Sequence, residues 1–287
     1  MTDSSRTDGA IATAQLNDLT VAAEFEDLLR GHGLDTLDAL FSYCDGEVLT
    51  KPGLGAWRER LRITLSTGAG VGSFYLKRFR DPPRRASLKR RRSGSGASSV
   101  AGREWAWLTR FAQDGIASAR PVAFGEELVG ARELRSAILI AAAPGESLEE
   151  WAARWGDADL RRVRALIDPT AALVARLHGR GFVHRDLYLS HVFFDPAAPP
   201  ESCLTLIDLQ RVVRPQSWRT RWLVKDLAAL SYSTPRRLMS RSDRIRWLKR
   251  YLGLRKLDGP AKRLVYRITG KIQGMARHDR RRRARQR

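Results

Sequence analysis

Only two cysteines, Cys44 and Cys203, occur in 287 residues. Each lies among apolar neighbours, so the expectation is two reduced, buried thiols and no disulfide framework. Long apolar runs are missing as well. The longest, Ala137–Ala143, falls far short of the roughly 18–20 residues needed to cross a bilayer. The chain starts polar, with Asp3 and Asp8, and lacks the basic-then-apolar pattern of a signal peptide. Together these features predict a cytoplasmic protein. Acidic residues are scarce, 31 Asp and Glu against 52 Lys and Arg, for a net charge of +21. Aromatic residues are scarce where a nucleic-acid binder needs them: beyond Leu254 the cations are interleaved with Tyr266 alone, which argues against nucleic acid as a partner. Internal repeats are absent.

The positive charge is concentrated in two places. From Pro235 to Arg287 there are 20 Lys and Arg against three Asp, a net of +17. Lys77–Arg92 carries nine basic residues against Asp81 alone. Such density calls for a polyanionic partner, whether an anionic membrane, a phosphorylated glycolipid or nucleic acid, the alternative being a merely solvated basic face.

Periodicity divides the chain in order. Residues 1–20 read as disordered. Val21–Leu29 and Leu34–Phe41 have helical spacing, broken at Gly31–Gly33. A strand-rich block follows, with Leu61–Leu65 and Phe74–Phe79 as strands around the turn Thr67–Gly72. Ser93–Ser99 (SGSGASS) reads as a mobile loop. Glu104–Phe111 is helical, Pro121–Phe124 and Ala137–Ala143 are strands, and Ser147 with Glu150 forms a capping box. Leu160–His178 reads as a long helix interrupted near Pro169, and the chain beyond Lys225 is mostly helical. Strands first and helices afterwards predict an α+β fold, with a small sheet lobe over 21–143, a helical lobe over 144–276 and a basic tail over 277–287.

Chemistry is concentrated in Leu177–Arg211. Asp186 sits in His184-Arg185-Asp186-Leu187, and Asp208 closes the apolar run Leu204–Ile207. Two carboxylates on either side of a hairpin suit phosphoryl transfer. One, Asp186, orients the attacking hydroxyl, and the other, Asp208, holds Mg²⁺ against nucleotide phosphates.

Laid out in order, these motifs resemble the protein-kinase-like fold and, within it, the lipopolysaccharide kinase (Kdo/WaaP) family of bacterial sugar kinases. The resemblance rests on Phe74–Arg78, Glu104-Trp105, Pro121–Gly125, His184–Tyr188, Leu206–Leu209 and Arg221–Leu230, and covers roughly residues 45–255. It implies a two-lobed fold and the use of ATP and Mg²⁺. Lys77 then grips the nucleotide phosphates, with Glu104 as its partner and Asp81 as the alternative. Gly53 and Gly55 form a phosphate-covering turn, or an ordinary hairpin turn. Asp226 braces the loop carrying Asp186, or simply starts its helix, and Arg185 contacts other groups of that loop. His191 stands where kinase-like enzymes place a metal-binding Asn; it reaches the metal, contacts phosphate, or marks a site with one ion. Tyr188 replaces a lysine common in Ser/Thr kinases, and Leu209-Gln210 replaces Phe-Gly after the metal aspartate. Both departures point away from protein substrates.

The implied acceptor is a heptose or 3-deoxy-octulosonic acid hydroxyl of the lipopolysaccharide core or a lipid A-linked sugar, at the inner face of the cytoplasmic membrane. Arg263, Arg267 and Lys271 recur every four residues beside Leu264, Ile268, Ile272 and Met275, the pattern of an interfacial helix or of a packed helix with a wet basic face. His278–Arg287 reads as a disordered electrostatic tail. The competing readings are a phosphotransferase acting on another small molecule or on protein, a pseudokinase scaffold, and a basic nucleic-acid binder.

Overall fold

The computed structural model describes residues 10–50, 55–68, 70–83, 95–217 and 219–284. Two compact units emerge. One holds the chain up to Ala143 together with Asp208–Gln210, and the other holds Pro144–Ile207 and the chain from Arg211 onward.

The first unit is built on a seven-stranded antiparallel sheet. In chain order its strands are β1 (Thr13–Leu16), β2 (Leu19–Ala22), β3 (Glu47–Val48), β4 (Arg58–Thr67), β5 (Gly70–Arg80), β6 (Pro121–Val129) and β7 (Arg132–Ala141), in the spatial order β1-β2-β6-β7-β5-β4-β3. Alternation along β4 explains both faces. Leu61, Ile63 and Leu65 are buried with Phe74 and Leu76 of β5 and with Leu29, Leu37 and Leu40 from α1 (Glu26–Gly31) and α2 (Leu37–Ser42). Arg58, Arg60 and Arg62 alternate to the opposite face, where Arg60 lies directly across from Lys77. On that face packs α3 (Val100–Gln113), through the buried Trp105, Leu108 and Phe111. Its start is anchored from within. The Ser99 hydroxyl accepts from the Gly102 amide at 2.9 Å, and buried Glu133 accepts from the Val100 amide at 3.0 Å and from the Ser136 hydroxyl at 2.6 Å.

Three expectations change in this unit. Residues 13–22 are not disordered but pair as a hairpin whose Leu16, Leu19 and Val21 are buried; two four-residue strands are too short for periodicity to reveal. Val21–Leu29 is not one helix, since its first residues belong to β2 and α1 begins only at Glu26. Cys44 is exposed, because α2 ends at Ser42 and the apolar spacing around Cys44 has no helix to bury it; Cys203 is buried as expected.

The second unit carries a three-stranded antiparallel sheet of β8 (Glu146–Ser147), β9 (Val192–Phe194) and β10 (Leu204–Leu206), in the order β10-β9-β8. Its helices are α4 (Leu148–Arg154), α5 (Leu160–Ala165), α6 (Ile167–Gly179), α7 (Arg219–Ser233), α8 (Arg241–Leu252) and α9 (Gly259–Ala284). The capping box at Ser147 is formed. The interruption near Pro169 falls at Leu166, and Pro169 occupies the first turn of α6, where an amide donor is not needed. α6 packs on α8, and α7 packs on α9. The tail is also corrected: α9 runs unbroken to Ala284, and Asp279 accepts a 2.6 Å hydrogen bond from the Tyr232 hydroxyl. Arg and Ala are good helix formers, so a basic run continues a helix already started. Leu264, Ile268, Ile272 and Met275 are half-buried, while Arg263, Arg267 and Lys271 stay exposed.

Candidate active site

In the first unit, β5 delivers Lys77 and α3 delivers Glu104. The Lys77 ammonium donates to Glu104 Oε1 at 2.6 Å; Lys77 is nearly buried and Glu104 wholly so. Asp81, the alternative partner, instead pairs with Arg132 at 2.9 Å. The cost of desolvating two charges is offset only by close geometry, which explains why α3 is fastened so firmly at Ser99 and Glu133.

Asp208 clusters with this unit and has a left-handed backbone, φ +58°. Arg58, half-buried, shares the neighbourhood of Asp208 and Glu104. Burial holds its guanidinium below the ordinary arginine value, as does repulsion from Arg60, while Asp208 and Glu104 pull it back up. Its guanidinium lies 4.0 Å from the Trp57 ring centroid, and its Nε finds no hydrogen-bond partner among the described residues. Sequence reasoning missed Arg58, although alternation along β4 from Arg60, opposite Lys77, marks it. Gly53 lies outside the described residues. At Gly55 an added Cβ would come within 2.6 Å of the Trp57 indole nitrogen, so any larger residue there would have to displace that ring.

In the second unit, Asp186 lies on a loop held from beneath by Asp226, which is fully buried on α7. Asp226 Oδ2 accepts from the His184 amide at 2.6 Å, and Oδ1 from the Arg185 amide at 2.7 Å. Arg185 needs that support, since its φ of +70° is strained for a residue with a Cβ. The Lys225 ammonium donates to the Arg185 carbonyl, and His184, buried, bonds through Nε2 to the Ile207 carbonyl at 3.0 Å. His191 Nδ1 lies 2.7 Å from the Asp186 carbonyl oxygen. A carbonyl only accepts, so Nδ1 carries the proton, and any metal bond from His191 falls to Nε2.

Asp186 Oδ1 accepts from Arg211 at 2.8 Å. Arg211 was not anticipated, because nothing in its local sequence links it to a residue 25 positions earlier. Cations crowd this carboxylate. The Arg185 guanidinium is lowered by burial and then by Arg211, and Lys225 is lowered by the same two influences. Burial, with Asp186 adding its charge, raises the Tyr188 phenol. One carboxylate able to orient a hydroxyl, ringed by cations able to neutralise phosphoryl oxygens, is suited to phosphoryl transfer. No group of three or more His, Cys, Asp and Glu able to cage a metal occurs among the described residues. Mg²⁺ is commonly held by one or two carboxylates plus substrate phosphates and water, so a lone Asp208 carboxylate is compatible with it.

The family model "Lipopolysaccharide kinase (Kdo/WaaP) family" matches residues 86–251. A lipopolysaccharide core heptose(I) kinase WaaP of Pseudomonas aeruginosa is 32% identical over 154 residues, covering 52% of this chain and 58% of that protein. The chain therefore spans little more than half the length of that relative. An Escherichia coli protein of the same name is 29% identical over 205 residues, covering 69% of this chain and 75% of its own length. A solved structure, WaaP in complex with acyl carrier protein, superposes with a TM-score of 0.65 at 25% identity, covering 89% of this chain and 98% of the other.

Proposed function

The chain belongs to the lipopolysaccharide kinase (Kdo/WaaP) family, and we propose that it transfers the γ-phosphoryl group of ATP to a sugar hydroxyl, of heptose or 3-deoxy-octulosonic acid, in the lipopolysaccharide inner core. The observation that carries this reading is the Asp186 loop. The Asp226 carboxylate accepts hydrogen bonds from the amides of His184 and of the strained Arg185, which fixes the backbone that carries Asp186. Such fixing is what a reaction governed by positioning requires.

Lys77, oriented by Glu104, grips the nucleotide phosphates. Asp208 is the carboxylate for Mg²⁺, and when bound the ion neutralises charge on the phosphate oxygens. Asp186 accepts a hydrogen bond from the acceptor hydroxyl and takes its proton as the new O–P bond forms and ADP departs. Arg211, which occupies Asp186 in the free protein, moves to the transferring group's oxygens. Retention of Lys77, Glu104, Asp186 and Asp208 argues against a pseudokinase scaffold.

The protein acts at the inner face of the cytoplasmic membrane, held there by its basic C-terminal region. The support is the net charge of +17 from Pro235 onward and the exposed cations of α9; no helix among the described residues is long and apolar enough to span the bilayer. Acyl carrier protein is a second proposed partner, by analogy with the solved neighbour. A cavity of about 980 Å³ in the second unit, walled by Leu148, Ile167, Leu227, Leu248, Ile268 and Ile272, has the apolar chemistry of a fatty-chain site.

The deciding experiment incubates the purified protein with ATP, Mg²⁺ and core oligosaccharide lacking the phosphate, and follows phosphate gain by mass spectrometry. Asp186→Ala should abolish transfer while ATP still binds. Equal activity of variant and parent would remove Asp186 from the mechanism.

A further inference from the structure

In the second unit, α7 and α9 enclose a groove of about 850 Å³ lined by Arg219, Arg221, Trp222, Lys225, Arg267 and Lys271. Five of these are cations, and no carboxylate lines the groove. None of the five is ion-paired among the described residues, although the same unit pairs Arg162 with Asp159, Arg164 with Asp243 and Arg250 with Asp168. Arg221 and Lys225 are four residues apart on α7, and so are Arg267 and Lys271 on α9, a like-charge spacing that destabilises a helix.

The groove is also preorganised. Arg219 donates to the His178 carbonyl at 2.5 Å and Lys225 to the Arg185 carbonyl, so both are fixed by neutral acceptors that leave their charge uncompensated. The Arg185 guanidinium sits 4.9 Å from the Trp222 ring centroid. Through Lys225 and Trp222 the groove thus abuts the residue immediately before Asp186. Burial and then the neighbouring Arg211 lower the Lys225 ammonium, with Asp186 and Asp226 offsetting part of that effect.

We propose that the groove between α7 and α9 is an oxyanion subsite that binds a carboxylate or phosphate substituent of the acceptor sugar chain and so aligns the neighbouring hydroxyl with Asp186. The subsite rests on the sugar-kinase reading above and adds to it a requirement for a charged acceptor. A concave groove with anchored cations beside the Asp186 loop favours a substituent on the substrate over a flat membrane surface, which the exposed arginines further along α9 suit better.

The test uses the full chain and deacylated inner-core oligosaccharide, free of lipid, in two forms: acidic groups intact, or carboxyl groups reduced to alcohols and phosphates removed. In the double variant R267Q/K271Q, the KM for the intact oligosaccharide should rise about tenfold, with the KM for ATP unchanged. On the neutralised oligosaccharide, variant and parent should converge. R255Q/K256Q removes equal charge from an exposed loop and should behave as the parent; R267K/K271R should recover most of the affinity. Calorimetric binding of the intact oligosaccharide separates the two claims. If the parent binds it in a groove-dependent way but transfers no phosphate, the kinase reading fails and the subsite stands. If R267Q/K271Q binds it like the parent, or loses equally on both oligosaccharides, the subsite is overturned. Inhibition of the parent by inorganic phosphate that leaves oligosaccharide binding unaffected would identify a free-phosphate site, and a defect confined to phosphatidylglycerol vesicles a membrane surface; either outcome overturns the proposal.

Discussion

Replacing Asp226 by Asn separates positioning from chemistry, because Asp226 is distant in sequence from the loop it holds. The carboxylate accepts from two amides, His184 at 2.6 Å and Arg185 at 2.7 Å, and is fully buried. Asparagine keeps one acceptor oxygen and turns an NH₂ donor toward the other amide. One charge-assisted hydrogen bond is then lost and one buried N–H left facing a donor, a cost of about 3 kcal/mol. Arg185 at φ +70° has little reason to hold that conformation once an amide is released, so part of the strain relaxes and Asp186 shifts. A displacement of about 1 Å at a reacting group costs on the order of 100-fold in rate. The expected outcome for D226N is a lowered urea midpoint, a roughly 100-fold fall in kcat with the KM for ATP unchanged, and faster hydrogen exchange at the His184 and Arg185 amides. A variant destabilised by that amount but retaining kcat within about twofold would show that Asp226 stabilises the fold without positioning Asp186, and the reasoning would fail.

Glu104→Gln leaves Lys77 without its counter-ion; kcat/KM for ATP should fall about 100-fold while the KM for acceptor holds, as steady-state kinetics would show. Lys225 is held below the ordinary lysine value of 10.5 by burial and then by Arg211, so it loses its proton at a lower pH than a free lysine. Activity that depends on its charge should decline on the alkaline side below that value, and R211Q, by removing the repelling cation, should move the decline to higher pH. Replacing Arg280, Arg281, Arg282 and Arg283, all exposed, by Gln should weaken binding to phosphatidylglycerol vesicles by about 1 kcal/mol per residue at low salt and flatten its salt dependence in a sedimentation assay. These substitutions are cleaner than truncation after Leu254, which would also uncover the face of α7 that α9 covers.

Local patterns were legible wherever the physics is local. The β4–β5 hairpin joins neighbouring strands, the capping box at Ser147 spans four residues, and the helix bearing Glu104 is a continuous stretch, while the α+β class follows from the order of strand-like and helix-like segments. The misreadings arise where locality fails. The hairpin at 13–22 is defined by pairing of β2 with β6, more than 100 residues away, and the helical C-terminus by packing of α9 on α7. Cys44 has apolar neighbours in sequence but no covering element in space.

By itself the sequence marked candidates: Asp186 and Asp208 each follow a short apolar run, and the family resemblance picked out Lys77 on a strand and Glu104 on the next helix. Tertiary structure alone decided how they are held. It joined Lys77 to Glu104 across 27 residues, set two amides of the Asp186 loop on Asp226 across about 40, and placed Arg211 on the Asp186 carboxylate. It also brought α7 and α9 together around five cations that no stretch of sequence groups. The reason is physical: residue type and periodicity are properties of neighbours along the chain, whereas a hydrogen bond or an unpaired charge is a property of neighbours in space.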